Sequence, residues 1–187
     1  MGLRPLYQTK NNPYIMSCSI TSGMTLGCKD SQGGVEYLYI SDLPTYDEIV
    51  TDVDGKIVSL DAAGVPTSIT WYKYETPKQV SSFQETISAA IEAGTVFYDQ
   101  QATFIFNKME AAKRDQIRLL AQNPKLLVVV KDGNGKFWSV GVTRGAELIS
   151  GSVSTGTAYG DRNGGEIVLQ GLEPDPSFEC LASFVGE

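Results

Sequence analysis

The sequence predicts a mainly β fold of the α+β class, in which one α-helix over residues 108–123 flanks the sheet. The chain combines 19 glycines with nine tyrosines and seven phenylalanines in 187 residues, a composition typical of strands joined by many turns. Only one stretch repeats its apolar residues at helical spacing, and the others are short runs bounded by turn residues. With 42% hydrophobic residues, we expect one domain over residues 17–175, an N-terminal arm over residues 1–16 and a C-terminal tail over residues 176–187.

The N-terminal part of this domain is predicted to contain short strands separated by turns. An acidic stretch over residues 42–56 interrupts them and is expected to be a solvated loop. Within it, Asp52-Val53-Asp54-Gly55 begins like a calcium-binding loop, but the glycine comes too early and no glutamate closes the loop at the twelfth position. A β-turn is therefore the preferred interpretation. The strands predicted in this part cover residues 17–28, 35–40, 57–60 and 69–75.

A polar hairpin and a long strand are predicted next. Residues 81–88 alternate as a strand does, yet both faces are largely polar or small. Such a strand is typical of a sheet edge, and exposed edges pair with another chain unless they are protected. Residues 95–107 form a long strand whose apolar character is interrupted at Asp99. We therefore expect the hairpin over residues 81–95 to protrude from the domain.

The helix has start and stop signals in the sequence. Asn107 is the predicted N-cap, because Glu110 three residues later is placed to bond back to the backbone N–H of the cap. Asn123 before Pro124 ends the helix, because proline has no N–H and disfavours helical geometry in the residue before it. The predicted apolar face comprises Met109, Ala112, Ile117, Leu120 and Ala121, and the polar face comprises Lys113, Arg114, Gln116 and Arg118.

A buried strand and a tight hairpin follow the helix. Residues 126–130 are an uninterrupted apolar run, too short for a second helix, which predicts a strand buried on both faces. Asp132-Gly133-Asn134-Gly135 supplies the positive-φ residues of a hairpin turn, and residues 136–142 return beside the first strand.

A last pair of strands is predicted over residues 146–154 and 166–172. The glycine- and hydroxyl-rich segment between them, residues 151–165, has the glycine spacing of a phosphate-binding loop. However, Thr157 follows the second glycine, where that loop requires lysine. We therefore predict no nucleotide site there, and interpret the segment as a polar loop suited to a partner surface.

The composition excludes several classes of function. The absence of histidine removes Ser-His-Asp and Cys-His nucleophile systems and histidine-ligated metals. Cys18, Cys28 and Cys180 have no C-x-x-C spacing, so neither a zinc site nor a disulfide framework is indicated. A net charge of −7 argues against sequence-independent binding to the phosphates of nucleic acids. No stretch has the length of a membrane span or the pattern of a secretory signal, so we expect a soluble chain with no membrane insertion. Because the usual catalytic and metal-binding patterns are missing, we also expect no cofactor and no enzyme activity.

Two other functions remain open on the residues alone. An aromatic platform for sugar rings is possible on the strands that carry Trp71, Tyr72, Tyr74 and Trp138, although aromatic side chains at alternating positions are more often core or interface. Paired carboxylates for glycoside hydrolysis are the second alternative, since that mechanism needs only two acids at a suitable separation. The basic residues of the helix are expected to form a solvated face or to bind an acidic neighbour.

Four segments of the chain resemble virion structural proteins of phages that infect Bacteroidota, including tail or ring proteins of the crAss-like group. These segments read TWYKYE, SSFQETISAAIEAGTVFYDQQATFIFNKME, LLVVVKDGNGKFWSVGVTRGAELISGS and STGTAYGDRNGGEIVLQGLEP. The order of elements is also similar to that of phage tail tube proteins. The resemblance implies a β-sandwich or barrel-like domain that forms rings, commonly hexameric, stacked as a tube through which DNA passes without specific binding.

The same resemblance implies a location in the virion, assembly in the host cytoplasm, and contacts with other tail or neck proteins. It carries over no catalytic residue. Another tail, ring, baseplate or capsid-associated protein is the nearest alternative, and a carbohydrate-binding β-sandwich is a further one. We expect the contacts between subunits to involve Phe83, Glu85, Ile87, Phe97, Tyr98, Tyr159 and Arg162.

Overall fold

The computed structural model describes Ile20 and residues 22–187. The chain divides after Asp30, and Ser31–Glu187 forms one compact unit. In the part before this unit, residues 22–28 form no strand, so the strand expected over residues 17–28 is wrong there. The remainder of that strand and the arm expected over residues 1–16 lie outside the described residues, and the compact unit begins later than the expected residue 17.

The fold is mainly β with two helices in the described part of the chain, which confirms the predicted fold class. The acidic stretch carries a short strand, Glu48–Thr51, that was not expected. Its turn forms as predicted, because Asp52 Oδ1 accepts the backbone N–H groups of Asp54 and Lys56, each at 2.9 Å. The elements are β1 Val35–Asp42, β2 Glu48–Thr51, β3 Ile57–Ala62, β4 Val65–Pro66, β5 Tyr72–Glu75, β6 Ser82–Ala90, β7 Thr95–Asn107, α1 Ala111–Gln122, β8 Leu126–Asp132, β9 Phe137–Val140, β10 Ala146–Ser154, β11 Gly164–Glu173, β12 Glu179–Cys180 and α2 Ala182–Val185.

Strand β8 lies at the centre of the sheet. It pairs antiparallel with β1 on one side, where Leu38 is opposite Val130, and with β9 on the other, where Trp138 is opposite Val130. From β9 the sheet continues through β12 and β3 to β2, and from β1 it continues to β5. Strand β10 meets β8 at one pair, Ala146 opposite Leu126, and begins an antiparallel sheet in the order β10, β11, β7, β6.

Two hydrophobic clusters lie on the two faces of β8. Residues 126–130 are each no more than 2% exposed, which confirms the strand predicted to be buried on both faces. Successive side chains of a strand point to opposite faces, so Val128 packs with β7, β11 and α1, whereas Val129 packs with β3, β12 and α2. The first cluster includes Leu38, Ile40, Phe104, Phe106, Leu120, Ile167 and Leu169, and the second includes Tyr39, Ile57, Leu60, Phe137, Cys180 and Phe184.

Helix α1 begins later than predicted. Its N-cap is Glu110, whose side chain makes no capping bond, and the expected N-cap Asn107 instead ends β7, where it pairs with Gly164. The strand pairing therefore overrides the local capping signal. The helix ends at Asn123 as expected. Leu120 is its only buried residue and Ile117 is half-buried, whereas the other residues of the expected apolar face that lie in the helix, Ala112 and Ala121, are exposed.

The last residues, expected to form a tail over residues 176–187, are part of the fold. Strand β12 pairs antiparallel with β9 and parallel with β3, and Phe184 of α2 stacks edge-on against Trp71 at 5.3 Å between ring centroids. The carboxylate of Glu187 binds Lys73 at 3.1 Å and Lys131 at 2.9 Å and accepts the Tyr39 hydroxyl. These residues close the second hydrophobic cluster, so the expected tail is wrong.

Candidate functional site

The four-stranded sheet β10-β11-β7-β6 has two open edges. Among the described residues, β6 pairs only with β7, and β10 beyond Ala146 pairs only with β11. Each open edge presents a row of backbone N–H and C=O groups to the surroundings, and native proteins usually block such rows with proline, lysine or a covering segment. Neither strand contains proline, lysine or arginine. Strand β10 has a bulge between Leu148 and Ser150, so its regular part from Ser150 to Ser154 and the edge of β6 are the parts suited to pairing with another strand.

One face of this sheet is polar and carries no cation. The residues of this polar face alternate with the core residues of the same strands, as the strand registers place them. At its centre the Asp99 carboxylate accepts the side-chain amides of Gln101 at 3.2 Å and Gln170 at 2.7 Å. The polar face comprises Ser82, Gln84, Thr86, Ser88, Asp99, Gln101, Thr103, Glu147, Ser150, Ser152, Ser154, Glu166, Val168, Gln170 and Leu172, and the registers also place the apolar Phe97 and Ile105 of β7 on it. It combines three carboxylates with hydroxyl and amide groups.

A buried polar network holds the sheet to the loop that joins β9 to β10, residues 141–145. Gln100, 2% exposed, accepts the Gly141 N–H at 3.2 Å and donates to Glu85 and to the Asp175 carbonyl. The Glu173 carboxylate accepts the backbone N–H groups at both Thr143 and Arg144. The amide group of Gln100 and the carboxylate of Glu173 are thus both bonded, so the network fixes this loop against β7 and β11.

Burial of Glu173 disfavours the ionised form of its carboxyl group. Its side chain is 2% exposed, and burial disfavours the charged form and raises the pKa of the carboxyl, an effect that the backbone N–H groups of Arg144 and Thr143 oppose without cancelling. Glu173 and Gln100 were not among the expected site residues. Their signal in the sequence is a polar residue at a position of a strand that the alternation assigns to the core.

The hairpin β6–β7 extends beyond its neighbour β11. The last pair between β7 and β11 is Tyr98 with Glu173, whereas β6 and β7 stay paired for three further residues, to Ala90 opposite Thr95. This confirms the protruding hairpin that the alternation predicts. Large apolar side chains are exposed here, namely Ile87 at 65%, Ile91 at 96%, Val96 at 55% and Phe97 at 40%.

The structure separates the expected contact residues into two groups. Five lie on the β6–β7 hairpin, and of these Phe83 is half-buried against the first cluster, so it is a packing residue as well as an edge residue. Tyr159 and Arg162 lie in the turn between β10 and β11, at the opposite end of the sheet, and both are exposed. The hairpin members are Phe83, Glu85, Ile87, Phe97 and Tyr98.

The alternative sites find less support in the geometry. Trp71 donates its indole N–H to the Phe184 carbonyl at 2.9 Å and packs on the second cluster. Trp138 donates to Asp132 at 3.1 Å, so both indole N–H groups are already bonded within the chain.

On the helix, Lys113 pairs with Glu110 and Arg118 with Asp115, each at 3.5 Å. The basic face of the helix is thus partly neutralised by the helix itself.

Two open grooves flank α1, with volumes of about 600 Å³ and 480 Å³, and Leu120 lines both. The larger groove is walled by Tyr74, Phe104 and Phe106. In the described part of the chain, no group of three or more acidic or cysteine side chains is placed to hold a metal ion.

None of the helices among the described residues has the length and apolarity needed to cross a membrane.

Comparison with known proteins leaves the family of the chain open. No protein-family model matches the chain, and no curated protein matches its sequence.

Proposed function

We propose that this chain is a virion structural protein, a subunit of homo-oligomeric rings that stack as a phage tail tube and conduct DNA. The observation that carries the proposal is the pair of open edges on the sheet β10-β11-β7-β6. A sheet with two compatible open edges can add a copy of itself at each side, and closure into a ring removes the edges altogether. The chain acts without a cofactor or enzyme activity, in the virion after assembly in the host cytoplasm.

The ring forms when β6 of one copy pairs with β10 of the next. Six copies with four strands each give about 24 strands, which at about 4.8 Å between strands and a tilt of about 40° close at a backbone diameter of about 48 Å. Closed sheets of this size leave an aqueous channel, whereas barrels of about eight strands are filled by their own side chains. The other tail or neck proteins bind at the two ends of the tube.

The polar face lines this channel. Asp99, Glu147 and Glu166 give each copy three carboxylates and no cation on this face. Lysine and arginine bind DNA non-specifically because they neutralise its phosphates and release the counterions condensed on it, and a wall without these residues offers no such gain. Like charge therefore keeps the DNA mobile while it passes.

Cysteine pairs on the two edges test this assignment. In a chain with Cys18→Ser and Cys28→Ser, Gln84→Cys on β6 is combined with Ser150→Cys, Ser152→Cys or Ser154→Cys on β10. Within one copy these edges are three strand spacings apart, about 14 Å, beyond the Cα separation of about 7 Å that a disulfide spans. We expect one of the three combinations to give a ladder of cross-linked copies that ends at the ring size.

The control is Gln84→Cys combined with Glu48→Cys on β2, which is not one of the strands β10, β11, β7 and β6, and it should stay uncross-linked. A ladder in the control alone, or none with any β10 position while rings are visible in the microscope, would refute pairing of these edges.

A further inference from the structure

The hairpin β6–β7 carries negatively charged side chains and no positively charged one. Between Lys78 and Lys108 the sequence contains no lysine or arginine, but it contains three carboxylates, Glu85, Glu92 and Asp99. Two of these are bound within the fold, because Glu85 accepts the Ser177 N–H at 2.6 Å and Asp99 accepts two side-chain amides. Glu92, in the turn at the tip, is exposed and forms no salt bridge with any described residue.

The opposite end of the sheet carries cations around an open pocket of about 400 Å³. Its walls come from the segment before β6, the end of β7 and the turn between β10 and β11, with Pro77, Val80 and Ile105 as apolar lining and Lys108 and Arg162 as charged lining. We name these five residues, with Lys78 beside them, the basic pocket. Lys78, Lys108 and Arg162 are exposed and form no salt bridge with any described residue.

The pocket is preorganised by the chain that surrounds it. The Lys108 N–H donates to the Asn163 carbonyl at 2.6 Å, and the Met109 N–H donates to the side chain of Asn163 at 3.1 Å. Asp161, the acidic residue of the pocket lining, accepts the backbone N–H groups of Thr157 and Ala158 within its own turn. These bonds lower the pKa of the Asp161 carboxyl and keep it ionised, but Lys78, Lys108 and Arg162 outnumber it, so the pocket is positive overall.

We infer that the hairpin tip of one copy docks in the basic pocket of a second copy, with Ile91 against the apolar wall and Glu92 beside Lys108 and Arg162. Ile91 is 96% exposed and directly precedes Glu92, so the tip presents an apolar group and a carboxylate together, which matches the two kinds of lining in the pocket. The tip and the basic pocket cannot meet within one copy, because the nine residues of β6 separate them by about 30 Å.

This contact joins unlike surfaces of two copies along the strand direction. Such a head-to-tail contact repeats without closing and produces an open-ended stack. The inference rests on the proposed function, in which it supplies the contact between successive rings, whereas the strand edges supply the contact within a ring. Opposite charges at the two ends also set the polarity of the stack, because turning one ring over places like charges together.

Charge reversal in the full-length protein tests the docking. We expect Glu92→Lys to reduce the mean number of rings per stack by about tenfold or more, as counted in negative-stain images at physiological salt, while single rings remain. Combining it with Arg162→Glu should restore long stacks. Glu48→Lys, which makes the same change in net charge on an exposed residue of β2, is the matched control and should stack as the wild type does.

The outcomes separate this inference from the proposed function. Stacks of normal length with Glu92→Lys, or loss of stacking with Glu48→Lys to the same degree, would overturn the docking and leave the ring intact. A wild type that forms no rings would contradict both. Single rings of Glu92→Lys that regain stacking with Arg162→Glu would support both.

Discussion

Leu120 is predicted to be the main attachment of helix α1 to the sheet. It is 7% exposed in the first cluster, whereas its neighbour Leu119 is 53% exposed. Replacement of a buried leucine by alanine generally costs about 2–5 kcal/mol of the free energy of unfolding. Because Leu120 borders both grooves along α1, water and neighbouring side chains can fill part of the space left behind. We therefore expect Leu120→Ala to cost about 2–3 kcal/mol, in the lower part of that range.

Leu119→Ala is the matched control, since it makes the same chemical change one residue away. It should change the free energy of unfolding by less than about 0.5 kcal/mol. The measurement is urea unfolding followed by circular dichroism, at a protein concentration where the chain is monomeric. Leu120→Ala should also lower Tm by about 5–10 °C. Equal losses for the two variants, or no loss for either, would show that α1 is not held by the face that the structure assigns.

Three further predictions concern the loop between β9 and β10, Glu187 and the hairpin β6–β7. A Cβ on Gly141, which has φ +74°, would overlap the Ala146 nitrogen, so Gly141→Ala should cost more than about 2 kcal/mol of the free energy of unfolding in urea. Gly135 has φ +76°, but apart from its chain neighbours no atom lies within 4 Å of an added Cβ, so Gly135→Ala should cost about 1–2 kcal/mol. Equal costs would contradict the close approach. Hydrogen bonds from a tyrosine hydroxyl and two lysines lower the pKa of Glu187 from 4.5 to about 2, so its ionised form stabilises the fold above pH 4.5 and that contribution is lost as the pH falls towards 2. The Tm deficit of Glu187→Gln should therefore shrink across this window, and a deficit that is constant with pH would refute the assignment. Ile87→Asp should melt as the wild type does yet form no rings in light scattering, and normal rings would remove the hairpin from the assembly contact.

The strands were predictable where a single sequence pattern was enough to identify them. The apolar run at residues 126–130 is too short for a helix and lies in the centre of the sheet, and the alternation over residues 81–88 gives an edge strand. The C-terminal elements were missed because a strand of two residues and a helix of four show no periodicity. Asn107 has the chemistry of an N-cap, but its pairing with Gly164 depends on a segment far away in the sequence.

The candidate site was predictable only in part, because some of its contacts join segments that are far apart in the sequence. Polarity alone placed Ile87 on an exposed hairpin, and the structure agrees. Phe83 was not recognised as a packing residue, because its contact with the first cluster depends on how the hairpin folds back over the core. The buried network of Gln100 and Glu173 joins distant segments of the chain, which no local pattern reports.

The most direct test of the central claim is the solution mass of the purified full-length protein by light scattering, with negative-stain imaging of the same sample. The account predicts a mass that is a whole multiple of 20.3 kDa, six copies per ring, and images of rings or stacked rings with an open centre. A protein that stays monomeric at every concentration, or that forms a compact dimer without a channel, would contradict it.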